Sequence, residues 1–223
     1  DLRQPVHTIG PLVAALSLRP IEARDREVVD LLSQVTVALS EQLDQLLDIS
    51  KLDAGVVAPE KKIVDLGEML RMHHAEMKAA IEEKGLRPML DVPAGVRCWT
   101  DPALVLRVLR NLTENAIKFT QQGQVTLRLR VENGFALISV EDTGRGIPPQ
   151  EQAMVFEEFY QVDNPERDRT KGLGLGLSIV RRLVDLLGGQ VGAQSEIGRG
   201  STFWFTLPLE VAVSDDAPHA QAA

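Results

Sequence analysis

Asn111-Leu112-Thr113-Glu114-Asn115-Ala116-Ile117-Lys118-Phe119-Thr120 is the stretch on which the reading of this chain turns. Asp101-Pro102 supplies an N-cap residue and a proline for the first turn, so a helix is predicted from there to Phe119. On such a helix Asn111, Asn115 and Lys118 stand at i, i+4 and i+7 and share one face. Leu109, Leu112, Ala116 and Phe119 are expected to face a core. Two amides and an ammonium on one stripe suit a Mg²⁺–phosphate complex, with amide oxygen to metal and ammonium to phosphate. Taken alone, such a stripe usually means a solvated polar face.

Two glycine-rich segments follow. Asp142-Thr143-Gly144-Arg145-Gly146-Ile147 comes directly after an alternating strand. Its glycines let backbone approach a flat ligand, and a carboxylate at the strand end can accept a hydrogen bond from an exocyclic amino group. A plain strand-ending turn is the simpler reading of Asp-x-Gly. Gly172-Leu173-Gly174-Leu175-Gly176-Leu177 opens a helix, where free backbone N–H groups can cradle phosphate. It is neither the dinucleotide fingerprint, since no strand precedes it and position 177 is Leu, nor a Walker loop, since no Gly-Lys-Ser/Thr follows. A flexible hinge is the alternative.

Before these motifs lies a helical region. Leu2, Val6, Ile9, Val13 and Leu16 are spaced 4, 3, 4, 3, as in a seam packed on other helices. After the interruption at Arg19 to Arg24, Val28, Leu32, Val35, Leu39, Leu46 and Ile49 continue the seam, with Gln42 its polar member. Two helices on so short a link form an antiparallel hairpin. A lone hairpin exposes one apolar face and two make a four-helix bundle, so a homodimer through residues 1–52 is expected. The other possibility is that the stripe packs on the rest of its own chain.

Ala54 to Pro59 reads as a linker. Strands are expected at Lys61 to Val64, Leu86 to Val92, Val96 to Trp99, Gln124 to Val131, Phe135 to Glu141, Gln190 to Ser195 and Thr202 to Leu207. Asn133-Gly134 is a hairpin turn signal. Helices are expected at Leu66 to Glu83, from Pro148, and at Ser178 to Leu187. His73 and His74 read as surface residues. The tail after Leu209 reads as a disordered linker.

The chain has 223 residues and a net charge of −8, so it lacks the basic footprint of a sequence-independent nucleic-acid binder, and no nucleic-acid partner is expected. Its one cysteine, Cys98, excludes an intrachain disulfide. No apolar run approaches the ~20 residues of a membrane-spanning helix. The first residues, Asp-Leu-Arg-Gln-Pro, begin in mid-pattern and read as part of a longer protein.

The order of the motifs is more specific than any one of them. An asparagine helix precedes Asp-Thr-Gly-x-Gly, then Phe156-Glu157-Glu158-Phe159, a charged stretch, Gly-x-Gly-x-Gly and Gly198-Arg199-Gly200-Ser201-Thr202-Phe203. In this the sequence resembles sensor histidine kinases, over residues 1–209. Leu47-Asp48-Ile49-Ser50-Lys51-Leu52-Asp53-Ala54-Gly55 is similar to the exit from their dimerisation helices. The resemblance implies an α+β chain: a dimerisation and phosphotransfer hairpin at 1–55, a Bergerat-type ATP-binding α/β sandwich with a mixed sheet at 56–209, and a tail at 210–223. It implies ATP and Mg²⁺ as cofactors, with Asn115 on the metal, Asn111 beside it and Lys118 on phosphate. Asp142 would hold the adenine amino group in a pocket shaped by Gly144 and Gly146. Tyr160 is either beside the nucleotide or a plain core aromatic. Asp163 to Lys171 would be a mobile lid, with Arg169 and Lys171 among the nucleotide contacts, together with Gly172, Gly174, Gly176 and Thr202.

The phosphoacceptor box of these kinases resembles His-Asp-Leu-Arg-Gln-Pro, which places the accepting histidine immediately before Asp1. By that likeness Asp1 would orient the histidine ring, and Gln4 would position water for the reverse dephosphorylation. His7, two turns along nearly the same face, is the only substitute acceptor, and an ordinary surface histidine is the simpler reading. The phosphoryl group would pass to the aspartate of a response-regulator receiver domain. The resemblance implies a cytoplasmic setting in a parent protein that could be membrane-anchored. Two other readings compete. Related ATPases of the same nucleotide fold, as in type II topoisomerases, hydrolyse ATP with a glutamate at the position matching Asn111, and an amide cannot replace that base. A dimeric signalling module without catalysis is the other.

Overall fold

In the computed structural model, residues 3–17, 23–162 and 173–209 are described, with the side chains of 3–8, 17, 23–24 and 41 excepted. The described residues within 1–58 and 154–179 form one compact unit, and those within 59–153 and 180–209 another. In the first unit, α1 (Arg3–Ser17) and α2 (Ala23–Asp53) pack on each other as a hairpin. Val13, Val29 and Ile49 are buried there. Seven other seam residues are open: Ile9, Leu16, Val28, Leu32, Val35, Leu39 and Leu46 are all at least 40% exposed, while Gln42 is half-buried. Thr36 sits in this region as a buried polar residue whose hydroxyl donates to the Leu32 carbonyl at 2.7 Å.

The second unit is built on a five-stranded mixed sheet of order β2-β4-β5-β7-β6. Its strands are β2 (Arg87–Asp91), β4 (Gln124–Glu132), β5 (Phe135–Asp142), β6 (Val191–Glu196) and β7 (Gly200–Pro208). Only β2 and β4 run parallel. A separate antiparallel ribbon pairs β1 (Lys62–Asp65) with β3 (Arg97–Thr100). Asn133 and Gly134, at φ 49° and 81°, make the tight β4–β5 turn, both in the left-handed region that type I′ geometry requires.

α3 (Leu66–Glu83) and α4 (Pro102–Phe119) pack on each other and on the sheet. Asp65 caps α3 by accepting from the Glu68 N–H at 2.9 Å. Asp101 caps α4 by accepting from Ala103 and Leu104, and its other oxygen takes the Glu60 N–H at 2.7 Å. Capping carboxylates of this kind each stabilise a helix by about 1 kcal/mol, and here they also set where α3 and α4 begin. The helix from 176, α5 (Gly176–Leu187), buries Ile179, Val180, Leu183, Val184 and Leu187.

The covered face of the sheet is a series of rungs. Leu129, Ile138 and Phe205 form one, and Leu127, Val140 and Phe203 the next. All six side chains are buried. One rung further, the same face turns polar, with Val125, Asp142, Ser201 and Ser195 in register. No helix forms from Pro148; the segment is a run of turns, with Glu151 N–H donating to the Pro148 carbonyl. The pair Pro148-Pro149 removes two amide donors where a first helical turn would be set. Among the described residues no helix is long and apolar enough to cross a membrane.

Candidate nucleotide site

α4 separates its faces as its spacing requires. Val105, Val108, Leu109, Leu112 and Ala116 are buried, while Asn111 and Asn115 are half-buried and Lys118 is exposed. The Asn111 amide nitrogen donates to the Arg107 carbonyl at 2.9 Å, so its oxygen is the pole left for a cation. Although the side chain as a whole is exposed, partial desolvation holds the Lys118 ammonium below the usual lysine range, which an adjoining anion would reverse. The last turn of α4 is clamped by Lys84, at the end of α3, whose ammonium donates to the carbonyl of Lys118 at 2.9 Å and to that of Ile117. A cation there also complements the negative end of the helix dipole.

Asp142 ends β5 with its carboxyl on the covered face, where it is buried. The Gly144 N–H donates to Oδ1 at 2.8 Å. Burial pushes this carboxyl above the ordinary aspartate range, against the Gly144 and Ser201 N–H groups and the Thr120 hydroxyl, which favour the carboxylate. The glycine turn lies directly against the end of α4. A Cβ on Gly144 would stand 2.5 Å from the Phe119 carbonyl oxygen. Gly146 has φ +73°, and a Cβ there would meet the Glu196 carbonyl oxygen at 2.1 Å. The turn is pinned from the far side too. Ile147 N–H donates to Ser195 Oγ at 2.8 Å, Gly198 N–H to the Arg145 carbonyl at 2.8 Å, and the Gln152 amide to the carbonyls of Ser195 and Ile147.

Three sequence expectations change here. Phe119 is not in the core: its ring is 42% exposed, with the Arg145 guanidinium 5.1 Å and the Lys118 ammonium 5.3 Å from its centroid. Thr202 registers with Glu141 and Gln194, on the face away from the Asp142 carboxyl. It lines a shallow recess of about 400 Å³ to which Thr126, Arg199, Ser201 and Asp142 also contribute. Ser201 is the residue beside Asp142, in phase with the buried Phe203, Phe205 and Leu207, and that alternation was the signal for it. His73 is buried and His74 half-buried, not surface residues. His73 Nε2 is 3.0 Å from Thr113 Oγ1, and Thr113 donates to the Leu109 carbonyl at 2.8 Å. The Thr113 hydroxyl therefore accepts from His73, which ties α3 to the buried side of the asparagine helix.

Within the other unit, Gly174 takes φ +73° against the Tyr160 carbonyl, and its own carbonyl accepts from the Phe159 N–H at 3.1 Å. Tyr160 is half-buried and Gly176 is the first residue of α5. Asp1, Arg169, Lys171 and Gly172, and the tail from 210, lie outside the described residues, as does the Gln4 side chain.

The donor set fits a magnesium ion that arrives with phosphates. Among the described residues no three His, Cys, Asp or Glu side chains cluster as a protein-only metal cage. Mg²⁺ needs no such cage, since it keeps waters and substrate phosphate oxygens around one or two protein oxygens.

A mixed sheet covered by helices, an asparagine-bearing helix and a buried aspartate beside a glycine turn define a nucleotide-binding class of domain. Residues 100–211, half of the chain, match the family described as histidine kinase-, DNA gyrase B-, and HSP90-like ATPase, and the chain belongs to that family. It is 33% identical over 227 residues to the circadian input-output histidine kinase CikA of Synechococcus elongatus, covering 98% of this chain and 30% of that protein. It is 34% identical over 225 residues to the aerobic respiration control sensor protein ArcB of Escherichia coli, covering 97% of this chain and 29% of that protein. The crystal structure of full-length ShkA in complex with AMPPNP superposes with a TM-score of 0.78 at 30% identity, over 93% of this chain and 43% of that one.

Proposed function

We propose that this chain is the catalytic core of an ATP-dependent protein-histidine kinase of a two-component system. It binds Mg·ATP and transfers the γ-phosphate to a histidine immediately before Asp1, from which a response-regulator aspartate takes it. The observation that carries this reading is the contact between the two motifs: Gly144 against the Phe119 carbonyl puts the buried Asp142 next to the end of the asparagine helix.

In this reading the Asp142 carboxylate accepts the N–H of the adenine amino group, and the Gly144–Gly146 backbone lies against the ring. The Asn115 amide oxygen holds Mg²⁺, with Asn111 beside it, and the Lys118 ammonium takes a phosphate oxygen. Magnesium, when bound, neutralises charge on the phosphates. The chain's part is positioning: it fixes the phosphate chain on the α4 stripe and leaves the histidine ring to attack in line. Asn111 cannot take a proton from water, which favours transfer over hydrolysis. The exposed seam of α1 and α2 is the homodimer surface, and the cytoplasm is the compartment that supplies ATP and the response regulator.

The test mixes the chain and radiolabelled Mg·ATP with a catalytically inactive partner that carries the histidine-bearing hairpin. Acid-labile label on the partner is expected, and Asn115→Ala should reduce it by about 100-fold or more. Fast phosphate release with no acceptor present would instead identify a hydrolase.

A further inference from the structure

The polar rung beside Asp142 carries a pair of hydroxyls to which the kinase reading gives no part. Ser195 on β6 stands in register with Ser201 on β7, and Ser201 with Asp142 on β5. Because β7 lies between β5 and β6, Ser201 has Asp142 on one side and Ser195 on the other. Ser195 Oγ meets three partners: the Ile147 N–H at 2.8 Å, the Gly200 carbonyl at 2.8 Å and Ser201 Oγ at 2.9 Å. A serine hydroxyl has one proton and two lone pairs, so only one set of bond directions fits. The Ile147 N–H can only donate and takes one lone pair of Ser195. The Gly200 carbonyl can only accept and takes the Ser195 proton. The Ser201 hydroxyl therefore donates into the second lone pair, and Ser195 is fully satisfied. Ser201 has thus committed its single proton on the side away from Asp142, and its oxygen keeps only lone pairs to offer. The groups that favour the Asp142 carboxylate agree, since Ser201 contributes its backbone N–H there and its hydroxyl is not among them. The frame around the pair is tight. The Gln152 amide donates to the Ser195 carbonyl at 2.7 Å, and Gly200, at φ +118°, leaves no room for a Cβ against the Asp142 carbonyl.

We propose that Ser195 is a positioning residue for base recognition: it holds the Ser201 proton away from Asp142, so that the pocket sets a second acceptor beside the carboxylate and takes an amino-purine in preference to an oxo-purine. The proposal rests on the adenine-nucleotide reading of the site and deepens it. An exocyclic amino group brings two N–H bonds to two acceptors. An oxo group in the same place sets lone pairs against lone pairs, and buried acceptors left unpaired are costly.

Calorimetry on the 223-residue chain tests it with Mg·ADP and Mg·IDP, whose bases carry an amino and an oxo group at the same position. The unsubstituted chain should favour Mg·ADP. Ser201→Ala removes the second acceptor while the Ile147 and Gly200 bonds to Ser195 stay in place, and should lower that preference by about fivefold. Ser195→Ala frees the Ser201 proton to turn toward the base and should lower it at least as far, whereas Ser195→Thr, which keeps the hydroxyl, should restore most of it. Added to Ser201→Ala, Ser195→Ala should change the preference no further, because its effect runs through that hydroxyl. Equal weakening of both probes by Ser195→Ala would show that it merely braces the glycine turn, and would overturn the proposal. A preference unchanged in either single variant, or absent from the unsubstituted chain, would also overturn it. If the unsubstituted chain binds neither probe, the nucleotide reading itself fails and the proposal with it.

Discussion

α4 and the α1–α2 hairpin are both amphipathic, but their apolar faces end differently. On α4 the stripe from Val105 to Ala116 is buried against α3 and the sheet, and Leu106, Arg110, Glu114 and Lys118 lie on its open side. On the hairpin, Val13, Val29 and Ile49 are covered, while Ile9 and Leu16 on α1 and Val28, Leu32, Val35, Leu39 and Leu46 on α2 stay exposed. One chain completes the fold around α4 and does not complete the hairpin. The part of the nucleotide site formed by α4 and the Asp142 turn is thus built within one compact unit, whereas the hairpin leaves an apolar face open, which the proposed second copy would cover.

The sharpest way to break this comparison is to charge the exposed seam. Leu32→Glu with Val35→Glu should cost the isolated chain little, because both side chains already face solvent. Each forfeits about 1.5–3 kcal/mol of burial in a dimer, so sedimentation should show association weakened by well over 100-fold. If the parent chain sediments as a monomer throughout, the hairpin face is covered by something other than a second copy.

A substitution beneath α4 works in the opposite sense and should act on folding. Gly146→Ala meets the Glu196 carbonyl from a left-handed backbone. A loss of about 3 kcal/mol in denaturant unfolding is expected, with no change in hairpin association. An unchanged unfolding midpoint would mean that the turn is not the rigid base described here.

The smallest effect concerns the tie between α3 and α4. Burial first, and the Arg110 and His74 charges with it, hold His73 below the ordinary histidine range, against the pull of Glu76. The unfolded chain takes up that proton near pH 6.5, while the folded one resists it. His73 therefore contributes stability above that pH which is lost as pH falls toward its folded value. His73→Leu should flatten the stability profile between pH 7 and 5. Part of the slope should remain, because burial and the Lys78 charge lower His74 as well.

Much of this architecture was legible in the sequence where local chemistry decides it. Asp101-Pro102 starts a helix and Asn133-Gly134 turns two strands at the positions their side chains dictate. The asparagine stripe and Asp142 were legible because helical spacing and a strand-ending carboxylate are local patterns. What failed depends on partners distant in sequence. Phe119 fits the core spacing of α4, but the glycine turn meets its carbonyl and the helix ends there, so its ring is left outside. His73 reads as surface until α4 brings Thr113 over it.

The central claim is that a metal-bound adenine nucleotide rests against Asp142 at the end of α4. Its most direct test is calorimetry of Mg·AMP-PNP with the unsubstituted chain and with Asp142→Asn, paired with thermal unfolding of the ligand-free forms. Because burial raises this carboxyl, the folded state holds its proton more tightly than the unfolded one. The stability this contributes is complete below the unfolded value and lost as pH rises through the folded value. At neutral pH Asp142 is therefore a cost to the empty fold. Asp142→Asn is expected to melt at the same temperature or higher while its nucleotide affinity falls by more than about tenfold. Undiminished affinity in Asp142→Asn, or a lost affinity that merely follows a lowered melting temperature, would contradict it.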